Sequence, residues 1–207
     1  MEYLKIATPS VAEVEKYLKI WHEAPEYEKY RRQEDSVVTL FKELYPKNTE
    51  IKEVLIKVGV LNDFYGTKIF DVYPVAQHIV ELKIDSNFDN ADLDIVDKIS
   101  RAKGVKNRHY SFATKYCSHH RPDAFPIYDR FVDKMLRYFR DNDKFHEFKN
   151  EDLRNYISFK GVYQVFIKHY KLDKFRLREI DWYLWILGKE NFPSLPKKRK
   201  LMKMNNK

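Results

Sequence analysis

The sequence holds one cysteine, Cys117, in 207 residues. That excludes an internal disulfide and any multi-thiolate metal or iron–sulfur site, and it fits a reducing compartment, the cytoplasm. Glycine and proline are also scarce, at five and eight residues. Strictly alternating apolar and polar runs bounded by Asn-Gly or Asp-Gly turns do not occur, so a sheet fold is not expected. No run approaches the roughly 18 consecutive apolar residues of a membrane span. The first residues, Met1 to Ala7, lack the basic region and apolar core of a secretory signal, so neither export by that route nor a membrane partner is expected. Internal repeats, heptad seams and low-complexity linkers are missing as well.

What is present is aromatic and charged. Phe, Trp and Tyr make up 15 % of the chain, a large apolar payload with many hydroxyls that need partners. The length suits one domain around one core. The expectation is an all-α, single compact multi-helix domain over residues 1–192, followed by a short flexible basic tail over 193–207. The formal net charge is +8, and residues 196 to 207 carry six basic side chains and no acid, which leaves the body near neutral. Pro196 to Lys200 reads as a nuclear import signal, as a non-specific nucleic-acid arm, or as an inert end.

Apolar spacing divides the body into helices. Ser10 caps the first, with Glu13 as capping-box partner. A second runs from about Glu26 to Tyr45 and stops at Pro46. Asn48 or Thr49 caps a third through Val58. A fourth passes through Phe70, Val72, Val75, Ile79 and Leu82, entered or kinked at Pro74. Asp85 to Asn90 reads as a polar turn, and Leu93 to Ile99 as another helix. Helices are then expected over about His109 to His119, after Asp129, over Glu151 to Tyr170, and over Phe175 to Gly188, where Gly188 is a natural C-cap.

Between Ser100 and Pro122 there are six Lys and Arg side chains, three histidines and no acid. Such a loop leading into a helix N-terminus offers amide N–H groups and cations together, the ingredients of a phosphate site, although a solvated basic loop looks the same. Cys117, His119 and His120 do not make a metal site by spacing, because adjacent side chains on a helix point about 100° apart. Asp129 reads as an N-cap behind a proline-fixed turn.

The segment Phe125-Pro126-Ile127-Tyr128-Asp129-Arg130-Phe131-Val132 resembles the catalytic segment of the helix-hairpin-helix (HhH-GPD) DNA glycosylase superfamily, particularly its adenine-mismatch branch, with a Pro-Ile/Val-x-Asp-x-x-Val signature. Eighteen residues before Asp129 lies Ser111, where the family places Ser or the Schiff-base Lys, and Ala113 follows as it commonly does there. Lys103-Gly104-Val105-Lys106 resembles the start of the family's Pro-Gly-Val-Gly hairpin, with Lys103 for the Pro and Lys106 for the second Gly. The sharp part of the resemblance covers residues 104 to 136.

The resemblance implies a monomeric, HhH-GPD-like DNA glycosylase that needs no cofactor and, with one cysteine, no iron–sulfur cluster. DNA is the implied partner, bound through Lys103, Gly104, Lys106, Arg108 and Arg121, with Asn62 where the family has a wedge that extrudes the target base. Asp129 would stabilise an oxocarbenium-like transition state and orient water. With Ser111 at the reactive position the enzyme would be monofunctional; with Lys115, one helical turn on, an amine could form a Schiff base. Tyr110 and Tyr128 are the candidates to stack a flipped base. Three other readings stay open: a non-catalytic nucleic-acid-binding module, a nucleoside-directed N-glycosidase, and an interaction protein in which Asp129 is only a cap.

Overall fold

A computed structural model describes residues 6–192. The expected basic tail, 193–207, lies outside the described residues. Within them the chain forms ten α-helices and no strand, packed around one hydrophobic core.

Helix α1, Val11–Glu23, starts where Ser10 Oγ accepts a hydrogen bond from Glu13 N at 3.2 Å. The reciprocal half of the expected capping box is not made, because the Glu13 carboxylate pairs with Lys16 at 3.4 Å. Helix α2, Glu28–Thr39, continues into a π-helical turn, Leu40–Leu44, closed by Tyr45 N donating to Leu40 O at 2.9 Å and ended before Pro46.

Neither Asn48 nor Thr49 caps α3, Ile51–Tyr65; Glu50 occupies the cap position without a side-chain bond. Asn48 is instead buried at a polar centre. Its Oδ1 accepts from Lys57 Nζ at 2.6 Å and from Tyr116 OH at 2.5 Å, and its amide groups donate to Asp85. Lys57 is fully buried and also donates to the carbonyls of Tyr45 and Lys47. A cap residue needs an open helix end; this one has been drawn inward to satisfy a buried ammonium that would otherwise be very costly.

Gly66 ends α3 in the left-handed region at φ 57°, a conformation glycine adopts without a Cβ penalty. Helix α4, Val72–Glu81, is capped by Asp71, which puts Pro74 in its first turn, where no kink is needed. The expected helix through Phe70 therefore begins two residues later, and Phe70 is 95 % exposed in the connecting loop. The expected polar turn after Asp85 is a short helix, α5, Asp85–Asp89.

Helices α6, Asp94–Ser100, and α7, Tyr110–His120, flank the basic loop, in which Gly104 has φ 75°. Helix α8, Arg130–Asp143, follows the Phe-Pro-Ile-Tyr turn. A 3-10 turn, Asp152–Arg154, precedes α9, Tyr156–His169. The last helix, α10, is Leu177–Asn191, so Gly188 is not its end. A Cβ built on Gly188 would lie 2.8 Å from Phe131 Cβ, closer than carbon atoms pack. The glycine is there because α10 passes directly against the head of α8, and that crossing sets the back wall of the cleft described next.

Candidate active site

A cleft of about 620 Å³ opens between α1, α2, α3, α7, the head of α8 and α10. Ser111, Lys115 and Asp129 all line it, as does Tyr128. Of the residues expected at the reaction centre, the catalytic three and one of the two stacking tyrosines are thus brought together.

Their placement follows from local bonding. The turn before α8 is clamped on both sides: Thr114 Oγ1 on α7 accepts from Tyr128 N at 3.1 Å, and Tyr156 OH on α9 donates to Pro126 O at 2.9 Å. Asp129 Oδ1 accepts from the N–H groups of Phe131 and Val132 at 2.8 and 2.9 Å. It is therefore an N-cap, as expected, and also a half-buried carboxylate at the cleft wall. Both of these hydrogen bonds fall on Oδ1.

Ser111 and Lys115 share the inner face of α7, and Lys115 Nζ donates to Ser111 Oγ at 2.8 Å. The ammonium also sits 5.5 Å from the Tyr65 ring centroid. Burial pushes the Lys115 amine below its ordinary value, with Asp129 and Asp181 pulling the other way. An amine so placed is more readily neutral than one on a surface.

Beneath this pair lies a closed polar ring that the sequence did not disclose. Arg178 on α10 pairs with Glu34 on α2 at 3.3 Å, with both side chains largely withdrawn from solvent. Tyr65 OH donates to Glu34 Oε2 at 2.9 Å and lies 2.9 Å from His119 Nε2, while Arg178 Nη2 faces His119 Nδ1 at 3.4 Å. An arginine donating to Nδ1 leaves the proton of neutral imidazole on Nε2, directed at the Tyr65 oxygen. Burial, reinforced by Arg178, holds His119 well below its usual pKa, so the neutral form fits. Asp181, also on α10, completes the floor; burial pushes its carboxyl up to about 7 against the opposing pull of Arg178.

The remaining expected site residues take other places. Lys103, Gly104 and Lys106 are exposed on the α6–α7 loop, outside the cleft lining. Arg108 is turned inward: it pairs with Asp97 at 2.5 Å, donates to Arg154 O at 2.8 Å and covers the Tyr110 ring. Arg121 pairs with Asp123 and donates to Phe88 O. Asn62 is a loop-binding residue, with Nδ2 donating to Ile69 O and Oδ1 accepting from Ile69 N and Thr67 Oγ1, each at 2.9 Å. Tyr110 is a core residue whose hydroxyl donates to Leu153 O and whose ring packs on Tyr128. Neither Asn62 nor Tyr110 reaches the cleft, because each is consumed by holding its own loop or helix. His120 lies 3.1 Å from Asn48 Oδ1 and stacks on Phe88. Among the described residues there is no group of three or more His, Cys, Asp or Glu arranged to hold a metal, and no helix long and apolar enough to cross a membrane.

The aromatic wall was only partly legible. Trp21 of α1 and Trp182 of α10 stack at 5.0 Å, with Trp185 and Tyr30 edge-on at 5.0 Å from each other. The Lys189 ammonium lies 4.4 Å from the Tyr30 centroid and 4.8 Å from that of Trp185. Trp182 and Trp185 could be recognised from the sequence as too apolar for a free surface, but not that they face a cleft.

Comparison with known proteins gives a family. The sequence profile HI_0787_N, described as an N-terminal domain, matches residues 13–124. A Haemophilus influenzae protein described as uncharacterized is 44 % identical over 149 residues, covering 70 % of this chain and 71 % of the relative. No solved structure matches. Ser111 and Lys115 lie inside the profile, whereas Asp129, Arg178 and Asp181 lie beyond its end.

Proposed function

The chain belongs to the HI_0787_N family, and we propose that it is an HhH-GPD-like DNA glycosylase that hydrolyses the N-glycosidic bond of a damaged, mismatched or modified base. One observation carries the reading: Ser111, Lys115 and Asp129, selected by motif and spacing, share one cleft of about 620 Å³. That volume lies within the range that holds a small ligand, and an extruded base with its sugar is such a ligand.

The parts have complementary tasks. Asp129 is held by two amide N–H groups at 2.8 and 2.9 Å, so its position is fixed before substrate arrives, as electrostatic stabilisation of a cationic sugar requires. Ser111 Oγ accepts from Lys115 and keeps its own proton to orient the attacking water. Water is then the nucleophile, and Lys115 positions Ser111 and offsets the buried acids. Tyr128 and the tryptophans of α10 supply flat surfaces for a base. Lys103, Lys106 and the Gly104 turn offer a landing for a phosphate beside the site.

A nucleoside-directed N-glycosidase is the second reading, and the inward turn of Arg108 and Arg121 favours it, since both cations are spent on internal partners. Base release under single-turnover conditions separates the two. Duplexes carrying a panel of lesions should yield free base with wild type and none with Asp129→Asn. Free nucleosides turned over without duplex cleavage would move the assignment to the second reading, and release from neither substrate would end both.

A further inference from the structure

We infer that Asp181 is the proton donor to the leaving base, the second catalytic carboxyl of the cleft. The inference rests on the glycosidase reading above and adds to it a residue from the last helix that no motif marks.

The geometry singles out this group. Asp181 is the one carboxylate in the apolar stretch Ile180 to Leu187, it is 9 % exposed, and it lines the cleft. Each of the other carboxylates lining the cleft is hydrogen-bonded: Glu34 by Tyr65 and Arg178, Asp129 by two backbone amides. Asp181 has no hydrogen bond or ion pair at bonding distance among the described residues. A buried carboxylate without donors around it is costly, whereas a carboxylic acid needs only one acceptor for its proton. The Asp181 oxygens are not among the closed-off unpartnered atoms, and the cleft that the residue lines is where such an acceptor would be met.

Its electrostatic surroundings are balanced rather than cationic. Arg178 from α10 and Lys115 from α7 face it, and Asp129 at the head of α8 and Glu34 from α2 oppose them, while Tyr65 from α3 and Tyr163 from α9, whose hydroxyls burial pushes up, stand nearby as uncharged phenols. With charges of both signs nearby, burial decides, and it keeps a substantial share of the acid form present up to neutrality. Two carboxyls in one cleft, one fixed by amide donors and the other desolvated and undonated, is the arrangement that divides base from acid.

The step balances. The C1′–N bond breaks with its electron pair going to the base nitrogen, and that nitrogen takes the proton from Asp181. Water forms the new C1′–O bond and its proton passes to Asp129. One water is consumed, the base leaves neutral, and the two acids have exchanged protonation states, which solvent restores.

The test uses the full chain and compares a neutral lesion base with 7-methylguanine, a cationic base that leaves without needing a proton. On the neutral base, wild-type single-turnover release should fall about tenfold per pH unit above roughly pH 7, and Asp181→Asn should lose about 10²- to 10⁴-fold and flatten that limb. Asp181→Glu should recover part of the rate. On 7-methylguanine, Asp181→Asn should stay within a few-fold of wild type, whereas Asp129→Asn should lose both substrates. The assignment is overturned if Asp181→Asn keeps the neutral-base rate with its alkaline fall, or loses both bases alike with no recovery by Glu. Thermal unfolding of each variant controls for folding. Wild type releasing no base from either duplexes or free nucleosides would remove the glycosidase reading itself, a result distinct from either of these.

Discussion

Asp129 is both a helix cap and the wall of a cleft, and at the scale of single residues the two roles separate by substitution. Asparagine caps as well as aspartate, so Asp129→Asn should leave urea stability within a few tenths of a kcal/mol, whereas Asp129→Ala should cost about 1 kcal/mol. Catalysis should follow the charge instead: base release should fall at least roughly 10²- to 10³-fold in the Asn variant. Equal losses of stability and activity would mean that the residue only caps. Lys57 offers a second residue-scale check. Burial lowers its amine to about 8, so between pH 8 and 10 this group binds more protons in the unfolded chain and its contribution to stability rises with pH, against the falling contribution of the buried Cys117 thiol. Above about pH 10 the buried tyrosines, whose hydroxyls burial pushes up, should reverse the slope. Denaturant titrations at stepped pH with Lys57→Met should show a smaller rise between pH 8 and 10 than wild type, with the lowered amine of Lys115 still contributing; a slope unchanged by the substitution contradicts this. Asp129, Ser111 and Lys115 could be found in the sequence because a turn motif and a helical period point at them. Asp181 could not, because a lone acid in an apolar run looks like the wet edge of a helix until its neighbours are known.

At the scale of elements, most helix starts follow from caps and prolines that act locally: Ser10, Asp71 and Asp129 accept amide protons and Pro46 stops a helix. The failures are tertiary. Asn48 left its cap position to serve Lys57, Phe70 lies outside the helix its hydropathy suggested, and Gly188 proved to be a contact rather than a terminus. The α8–α10 crossing at Gly188 joins the Asp129 turn to the helix bearing Asp181, so it is the sensitive joint of the site. Gly188→Ala should force apart the 2.8 Å approach to Phe131, costing about 1–3 kcal/mol and lowering the melting temperature by roughly 2–4 °C for each of these. Base release should drop by more than the folded fraction accounts for. A variant as stable and active as wild type would show that the crossing tolerates displacement.

At the scale of the whole molecule, the helical class and the single core followed from composition, whereas the cleft arises from six helices distant in sequence, and no local period encodes such a meeting. The charge distribution also changes meaning. Of the cations between Ser100 and Pro122, Arg101, Arg108 and Arg121 are ion-paired and Lys115 is buried, which leaves Lys103 and Lys106 as the exposed lysines of the α6–α7 loop. If a DNA phosphate lands there, Lys103→Ala/Lys106→Ala should weaken duplex binding for all sequences and reduce the slope of log affinity against log salt by about 1–2. An unchanged slope would favour the nucleoside reading.

If Asp129 stabilises positive charge on a sugar held in the cleft, binding of a charged mimic reports it without any need to know the natural base. Affinity should be measured for a duplex carrying a cationic pyrrolidine in place of one sugar and for its twin carrying a neutral tetrahydrofuran. Wild type should prefer the cation by at least about 10²-fold, and Asp129→Asn should lose that preference while binding the neutral duplex as before. Equal affinity of wild type for the two duplexes would show that Asp129 plays no such part.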